Sequence, residues 1–328
     1  MAAKGGIDAQ LERLRAIAAN PTTSEARAEL EKALRGKSNI VAARAAKIIG
    51  EGQLFDHERE LVAAFARFMA AGSDKTCAAK VAIAEALAAL SSHAESVWLA
   101  GVRHVQMEAA WGPPVDAAVP LRCACAAGLV NMRSASALVP LVHLLAEREP
   151  RSTPGHDAYV QTRSMAARAL GTYGGDAAHA LLRFRVLIGD EPEVVSECFR
   201  QLIELKRSLD PVRPYLDAED EDLRQAAMLA AGESRLADAF QVLRECWERQ
   251  VDLASRKVLC VAMAVTRKPE AIEFLVSLVR DAPEPAAAAA VEALAIFKGD
   301  DAMRSRVRPA CCKRGGALLA TFDEHFGS

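Results

Sequence analysis

The chain is expected to be all-α, a right-handed α-solenoid of about eight stacked helix pairs. Three observations predict this. Alanine makes up roughly a fifth of the 328 residues, the strongest helix former used in bulk. Aromatic residues are only 5%, whereas strands draw on Tyr, Phe, Val, Ile and Thr. Finally, one apolar helical phrase recurs along most of the chain, the signature of an architecture built from repeated units.

Residues 1–38 are expected to cap the array. DAQLERLRAIAAN and TSEARAELEKALRG read as two helices separated by Pro21 and rich in charge on one face, which suits the outer side of a terminal unit. The repeats are expected to fill residues 39–312. Their fullest statement is TRSMAARALGTYGGDAAHALLRFRVLIGD (162–190), an amphipathic helix, a glycine-containing turn and a second amphipathic helix. Related phrases are VAARAAKIIG (41–50), AAKVAIAEALAAL (78–90), PLRCACAAGLV (120–130), VVSECFRQLIEL (194–205), DLRQAAMLAAGES (222–234), SRKVLCVAMAVTR (255–267) and AAAVEALAIFKG (288–299). One late apolar slot in each falls at Ile49, Leu87, Leu129, Leu170, Leu202, Ala231, Met263 and Leu294, with spacings of 38, 42, 41, 32, 29, 32 and 31. Residues 313–328 form a C-terminal cap or tail, since the phrase is lost at Pro309 and Gly315-Gly316.

No single unit can bury its own apolar stripe, so each must stack on its neighbours. Small residues at the facing positions, such as Ala166, Ala167, Ala226 and Ala227, permit close helix approach. Seven residues before the apolar slot stand Lys80, Arg122, Arg163, Arg224 and Arg256, a basic residue in five of the eight units. This column is read as a structural ladder, each rung meeting an acidic side chain or helix-end carbonyls of the adjacent repeat. An anion-binding groove is its alternative.

These phrases resemble HEAT repeats, in the short form found in phycobilin lyases, with its D-x-x-V-R-x-x-A-A-x-A-L-G pattern. DAYVQTRSMAARALG (157–171) carries the likeness best and DLRQAAMLAAG second. The resemblance covers most of residues 39–312 and implies a binding surface or scaffold. Enzymes occur among such proteins, and each kind makes its own demand on the residues. Deoxyhypusine hydroxylases bind two irons through several His-Glu dipeptides, and here only His57-Glu58 has that order. HEAT-like alkylpurine DNA glycosylases need a basic groove with aromatics and a catalytic Asp. Trp98, Trp111 and Asp116 are superficially similar, yet the charge balance lacks the excess that phosphate binding requires. A bilin-lyase relative stays open as the alternative function, with Cys123 and His104 as conceivable chromophore contacts, although no residue identifies a tetrapyrrole pocket.

Forty-one Lys and Arg against 43 Asp and Glu give a net charge of -2, so nucleic acid is a disfavoured partner. The longest apolar stretch, 286–297, is interrupted by Glu292 and is too short for a membrane span. The eight cysteines fall mostly within helical patterns and read as reduced, buried thiols of a cytoplasmic protein. Neither Cys123-x-Cys125 nor Cys311-Cys312 has zinc-site spacing, and the seven histidines make no i, i+4 pair, so no metal or other cofactor is expected. Hydrolase, Walker and dinucleotide-binding motifs are absent, and nothing recruits a catalytic reading.

Two segments interrupt the repeats. In GVRHVQMEAAWGPPVDAAVPLR (101–122), Gly112, Pro113 and Pro114 demand an irregular connection, with Asp116 near the start of the following helix. Trp111 on this connection is expected to tuck beneath it as a packing plug, with a role as an aromatic anchor as the alternative. If a local feature recognises a partner, its residues are His104, Trp111, Asp116 and Arg122. The second interruption, REPRSTPGHDAYV (148–160), reads as a polar loop. The function expected is that of a non-catalytic scaffold or adaptor that binds another protein.

Overall fold

The computed structural model describes residues 2–147 and 156–327, so most of the second interruption lies outside the described residues. The protein is all-α apart from one small hairpin: the described residues form eighteen α-helices, four short 3-10 turns and a single two-stranded sheet. Its helices gather into two compact units, Met1–Gly174 and Gly175–Ser328. No helix among the described residues is long and apolar enough to cross a membrane.

The N-terminal unit runs α1 (Ala2–Ala18), α2 (Ser24–Arg35), α3 (Asn39–Glu51), α4 (Glu58–Phe68), α5 (Ala78–Ala89) and α6 (Glu95–Gly101). There follow strands β1 (Met107–Ala110) and β2 (Gly112–Asp116), then α7 (Val119–Asn131), α8 (Leu138–Leu145) and α9 (His156–Tyr173). Helices α1, α3, α5, α7 and α9 pack side by side in one layer, and α2, α4 and α6 make a second. The C-terminal unit runs α10 (Gly175–Ile188), α11 (Pro192–Lys206), α12 (Glu221–Glu233), α13 (Ala239–Arg249), α14 (Leu253–Thr266), α15 (Pro269–Asp281), α16 (Glu284–Leu294), α17 (Asp301–Arg314) and α18 (Gly316–Phe326). Within it α11, α12, α14, α16 and α18 pack in succession, and α15 meets α17 on the other layer.

Local chemistry sets where these helices begin. Thr23, Ser38, Asp220, Asp252 and Asp300 each precede a helix and accept a hydrogen bond from a backbone N–H in its first turn. The ends are more uniform still. Gln53, Ser91, Arg133, Arg207, Arg235 and Arg267 adopt left-handed backbone with φ between 50° and 56°, and Gly174 does so at 78°. Each follows α3, α5, α7, α11, α12, α14 or α9 by one or two residues, the usual way to turn a chain out of a helix. Their intervals, in chain order, are 38, 42, 41, 33, 28 and 32 residues. Every one lies four or five residues beyond an apolar slot of the sequence repeat, so backbone geometry and side-chain periodicity report the same register.

Packing within a layer is close because the facing residues are small. Ala166, Ala167 and Ala227 are fully buried and Ala226 nearly so. Two glycines show close approach, one between layers and one within a layer. A Cβ on Gly128 would meet the indole of Trp98 at 2.6 Å, and one on Gly232 would come within 2.3 Å of the Ala262 carbonyl oxygen. Trp98 is accordingly a core residue, fully buried, its indole N–H donating to Ser92 O at 3.3 Å.

The C-terminal hairpin α17–α18 closes on α16, with Leu318, Phe322 and Phe326 buried. Pro309 does not end α17: it and Ser305 are both exposed, so the carbonyl deprived of its N–H partner faces water. Gly315 at φ 65° makes the stop. Three arginines of this segment have partners in neighbouring elements. Arg314 donates to Val279 O and Ala282 O at the end of α15, Arg304 donates to Lys298 O and Phe326 O, and Arg306 pairs with Glu273. Arg67 does the same for the end of α2, donating to Leu34 O and Gly36 O.

The approach at Gly232 makes a clear expectation. Gly232→Ala should lower the unfolding free energy by about 1–3 kcal/mol in urea titrations, because α12 and α14 must separate. Gly299→Ala, where an added Cβ meets nothing within 4 Å, should stay within about 0.5 kcal/mol of wild type. Equal effects would refute the close-packing account.

Candidate functional site

The segment between α6 and α7 is more regular than its prolines suggested. It forms an antiparallel hairpin with Met107 opposite Asp116, Glu108 opposite Val115 and Ala110 opposite Gly112, the register shifting between Glu108 and Ala110. Each strand of a two-stranded sheet has one unpaired edge, and there a residue without an N–H removes no ladder bond. The expectation of a tucked Trp111 is corrected: it sits alone at the tip and is fully exposed, at 109% relative accessibility. With one residue between the last pair, no backbone reaches over the indole to cover it. Gly112 takes φ 150°, a conformation that L side chains rarely adopt. Val105, Met107 and Val115 are also exposed, the last two on opposite faces of the hairpin.

Its base, by contrast, is pinned by buried polar groups. Asp116 Oδ1 accepts the N–H groups of Gln106 and Ala118 at 3.0 Å each, and Oδ2 accepts Arg122 Nη1 at 2.6 Å. Both side chains of this ion pair are about fully buried, at 1% and 2% exposure. Arg122 also donates to His104 O at 3.0 Å and to Glu147 Oε2 at 3.3 Å, while its Nε lies 3.2 Å from Glu147 Oε1 without hydrogen-bond alignment. Thus three of the four residues singled out for recognition, His104, Asp116 and Arg122, meet beneath the hairpin, and Trp111 stands apart at its tip.

A second cluster braces the other side. Lys80 Nζ donates to Gln106 Oε1 at 2.7 Å and to Phe68 O at 3.2 Å, and lies 3.7 Å from Asp74 Oδ2. Asp74 accepts the N–H groups of Ala79 and Lys80 at the start of α5, and the Asn39 amide. The Gln106 amide nitrogen donates to Asp74 O and to Glu108 Oε1, and its amide oxygen lies 3.2 Å from His104 Nε2. These contacts hold Thr76 and Cys77 in consecutive left-handed conformations, φ 60° and 56°, a strain of roughly 1–2 kcal/mol per residue. Glu108 fixes the first by accepting the Thr76 N–H, and Gln106 Oε1 takes the Cys77 thiol at 3.1 Å.

The basic column follows one geometry. Four of its members bend back to the turn six residues earlier: Lys80 to Asp74, Arg122 to Asp116, Arg224 to Ala218 O and Arg256 to Gln250 O. Side chains on a helix tilt toward its N-terminus, so a long basic residue in the first turns reaches the incoming chain. Contacts to the adjacent repeat are present as well, from Arg163 to Glu147 O and from Arg224 to Ser255 Oγ. Arg256 in addition stacks over Trp247 at 5.1 Å.

A cleft of about 390 Å³ opens at the hairpin base, lined by Lys80, His104, Gln106 and Glu108 among others. Lys80, Gln106 and Glu108 in its wall are already bonded to one another or to neighbouring groups. Burial raises the Cys77 thiol to about 11, and hydrogen bonds from Gln106 and Thr76 hold Glu108 below the usual carboxylate value. Cys123, half-buried, is likewise raised to about 11 by burial. None of these thiols is activated. His57 is buried and Glu58 accepts the Ser92 hydroxyl; among the described residues no three His, Cys, Asp or Glu side chains converge as metal ligands.

Asp74, Gln106, Glu108 and Glu147 were not among the residues singled out from sequence. The legible signal was the shared spacing, an Asp six residues before the basic rung in both Asp74–Lys80 and Asp116–Arg122. Compared with protein-family models and with curated proteins, the chain matches none.

Removing Asp116 leaves Arg122 buried with less than its full complement. Asp116→Ala should cost about 3 kcal/mol in urea unfolding, and Asp116→Asn, which keeps the backbone acceptor, less; an alanine variant within about 0.5 kcal/mol of wild type would refute the clamp. Glu147 supplies a pH signature. Burial raises its pKa despite Arg122 beside it, so the folded state holds that proton more tightly than the unfolded chain. Its contribution therefore favours folding at low pH and is lost as pH climbs above the ordinary carboxylate value. The stability difference between wild type and Glu147→Gln should fall as pH rises above about 4, and a flat or rising difference would contradict it.

Proposed function

We propose that the protein is a non-catalytic scaffold or adaptor that binds another protein, with the hairpin at residues 107–116 as its recognition element. The observation that carries this reading is the position of Trp111, wholly exposed at the tip of a projection whose base is locked by buried ion pairs. A soluble chain gains nothing in its own stability from an indole in water, whereas Trp is among the commonest energetic anchors of protein interfaces. Pre-ordering matters equally: a hairpin tied down by Asp116, Gln106 and Arg122 loses little conformational entropy on docking. Exposed Met107 and Val115 add apolar area on the two opposite faces of the hairpin.

The architecture behind it we read as a right-handed solenoid of about eight HEAT-like helix pairs. The recurrence of left-handed helix ends at the sequence period, and the layered packing inside each unit, support that reading. Free thiols, six of the eight buried, suit a reducing cytoplasmic setting.

Trp111→Ala should leave unfolding free energy within about 0.5 kcal/mol of wild type, since nothing packs on the ring. Affinity purification from the native cell, with quantitative mass spectrometry on wild type and variant in parallel, should reveal a partner retained by the first and lost by the second. A hot-spot Trp is worth about 2 kcal/mol or more, roughly a thirtyfold loss of affinity. If every captured protein is retained equally by Trp111→Ala, the hairpin is not the recognition element.

A further inference from the structure

A second outward surface lies in the C-terminal unit. Helix α10 buries Ala178, Leu182 and Val186 on one side and packs on α11. Its other side is apolar too. Phe184, Leu187 and Ile188 are 58%, 68% and 48% exposed, and Ala177 and Ala180 continue the same stripe at helical spacing. An amphipathic helix ordinarily turns charged residues to water at such positions, so this one has two apolar faces, of which the outer stays exposed among the described residues.

The stripe ends in a groove of about 330 Å³ where the end of α10 meets the starts of α11 and α12. Leu187, Ile188, Val195 and Leu223 form its apolar lining and Asp220 and Asp222 its acidic one, with no basic side chain among the described residues of its walls. Asp190, also in the wall, is bonded to Arg185, and Asp220 caps α12 through the Leu223 N–H. Asp222, Glu219 and Glu193 are exposed around this end. The nearest guanidinium on the following helix, Arg224, is turned away to Ala218 O and Ser255. Arg183 and Lys206 lie toward His179, whose pKa is lowered by burial and then by these two cations. The groove end is thus the acidic end of the stripe.

We propose that this face docks a basic amphipathic helix from a partner protein. Its apolar side would cover Phe184, Leu187 and Ile188, with lysine or arginine side chains set against Asp222, Asp220 and Glu193. Charge complementarity selects the occupant: apolar anchors supply affinity, and the acidic rim rejects an acidic or neutral helix of the same shape. The site uses no residue of the hairpin, and its success or failure is independent of Trp111.

The test is fluorescence anisotropy on the full chain with two labelled helical peptides of about 18 residues, leucines on one face and either lysines or glutamates on the other. The lysine peptide should bind at least about tenfold more tightly than the glutamate peptide, and the preference should shrink in high salt. Leu187→Ser with Ile188→Ser, neutral changes at exposed positions that circular dichroism should find folded, should weaken the lysine peptide by about tenfold or more. Asp222→Lys with Glu193→Lys should reverse the preference. No binding, equal binding of the two peptides, or indifference to the α10 substitutions would overturn the proposal. So would light scattering that finds a wild-type dimer which Leu187→Asp converts to a monomer, because the occupant would then be a second copy.

Discussion

Neighbouring helices of a layer in this protein meet through alanine and glycine, and the distance this permits governs what the rest of the molecule can do. At Gly232 and Gly50 an added methyl group would press on the backbone of the facing helix in the same layer. Where backbones come this near, dispersion contacts are made by main chain as much as by side chain, and a helix cannot rotate or slide without collision. Rigidity of the layer follows from the smallness of its side chains. Large apolar residues such as Trp98 and Phe199 fill the core beside them and are fully buried.

Such a layer leaves little apolar volume to anchor the turns between helices, and here buried charge takes over that task. Lys80 and Arg122 are almost wholly enclosed, yet each is matched by a carboxylate and by carbonyl or amide oxygens. A buried ion pair adds little net stability compared with apolar residues of the same shape, but one that has lost a partner is heavily penalised. The consequence is specificity of conformation: the arrangement of the turns before α5 and α7 brings a carboxylate and further oxygens to each buried cation. That arrangement places the hairpin, whose apolar tip is exposed while its base is polar and closed.

Much of this could be read from the residues. The helical class, the intervals of the phrase and the basic column all rest on local periodicity, which a single sequence records directly. The Asp-to-base spacing at Asp74–Lys80 and Asp116–Arg122 was also visible in the letters. What could not be read was set by long-range pairing. Gly112, Pro113 and Pro114 signal a break in helix, but whether the chain on either side pairs as strands depends on Gln106 and Asp116 meeting across ten residues. Glu147 meets Arg122 from the far side of α7 and α8, and no local pattern announces it. Trp111 was misjudged because burial is the usual fate of an indole, and a tip with one residue between paired strands has nothing to bury it.

The amide of Gln106 belongs to the hairpin segment, yet it completes the hydrogen-bond shell of an ammonium rooted in α5. Excising the projection would strip Lys80 of that acceptor and leave a cation enclosed with too few oxygens. The protrusion is therefore not an ornament that descent could add or discard freely. A lineage that shed it would have to exchange Lys80 for an uncharged side chain at nearly the same step, so in any set of homologues the two characters should be inherited together.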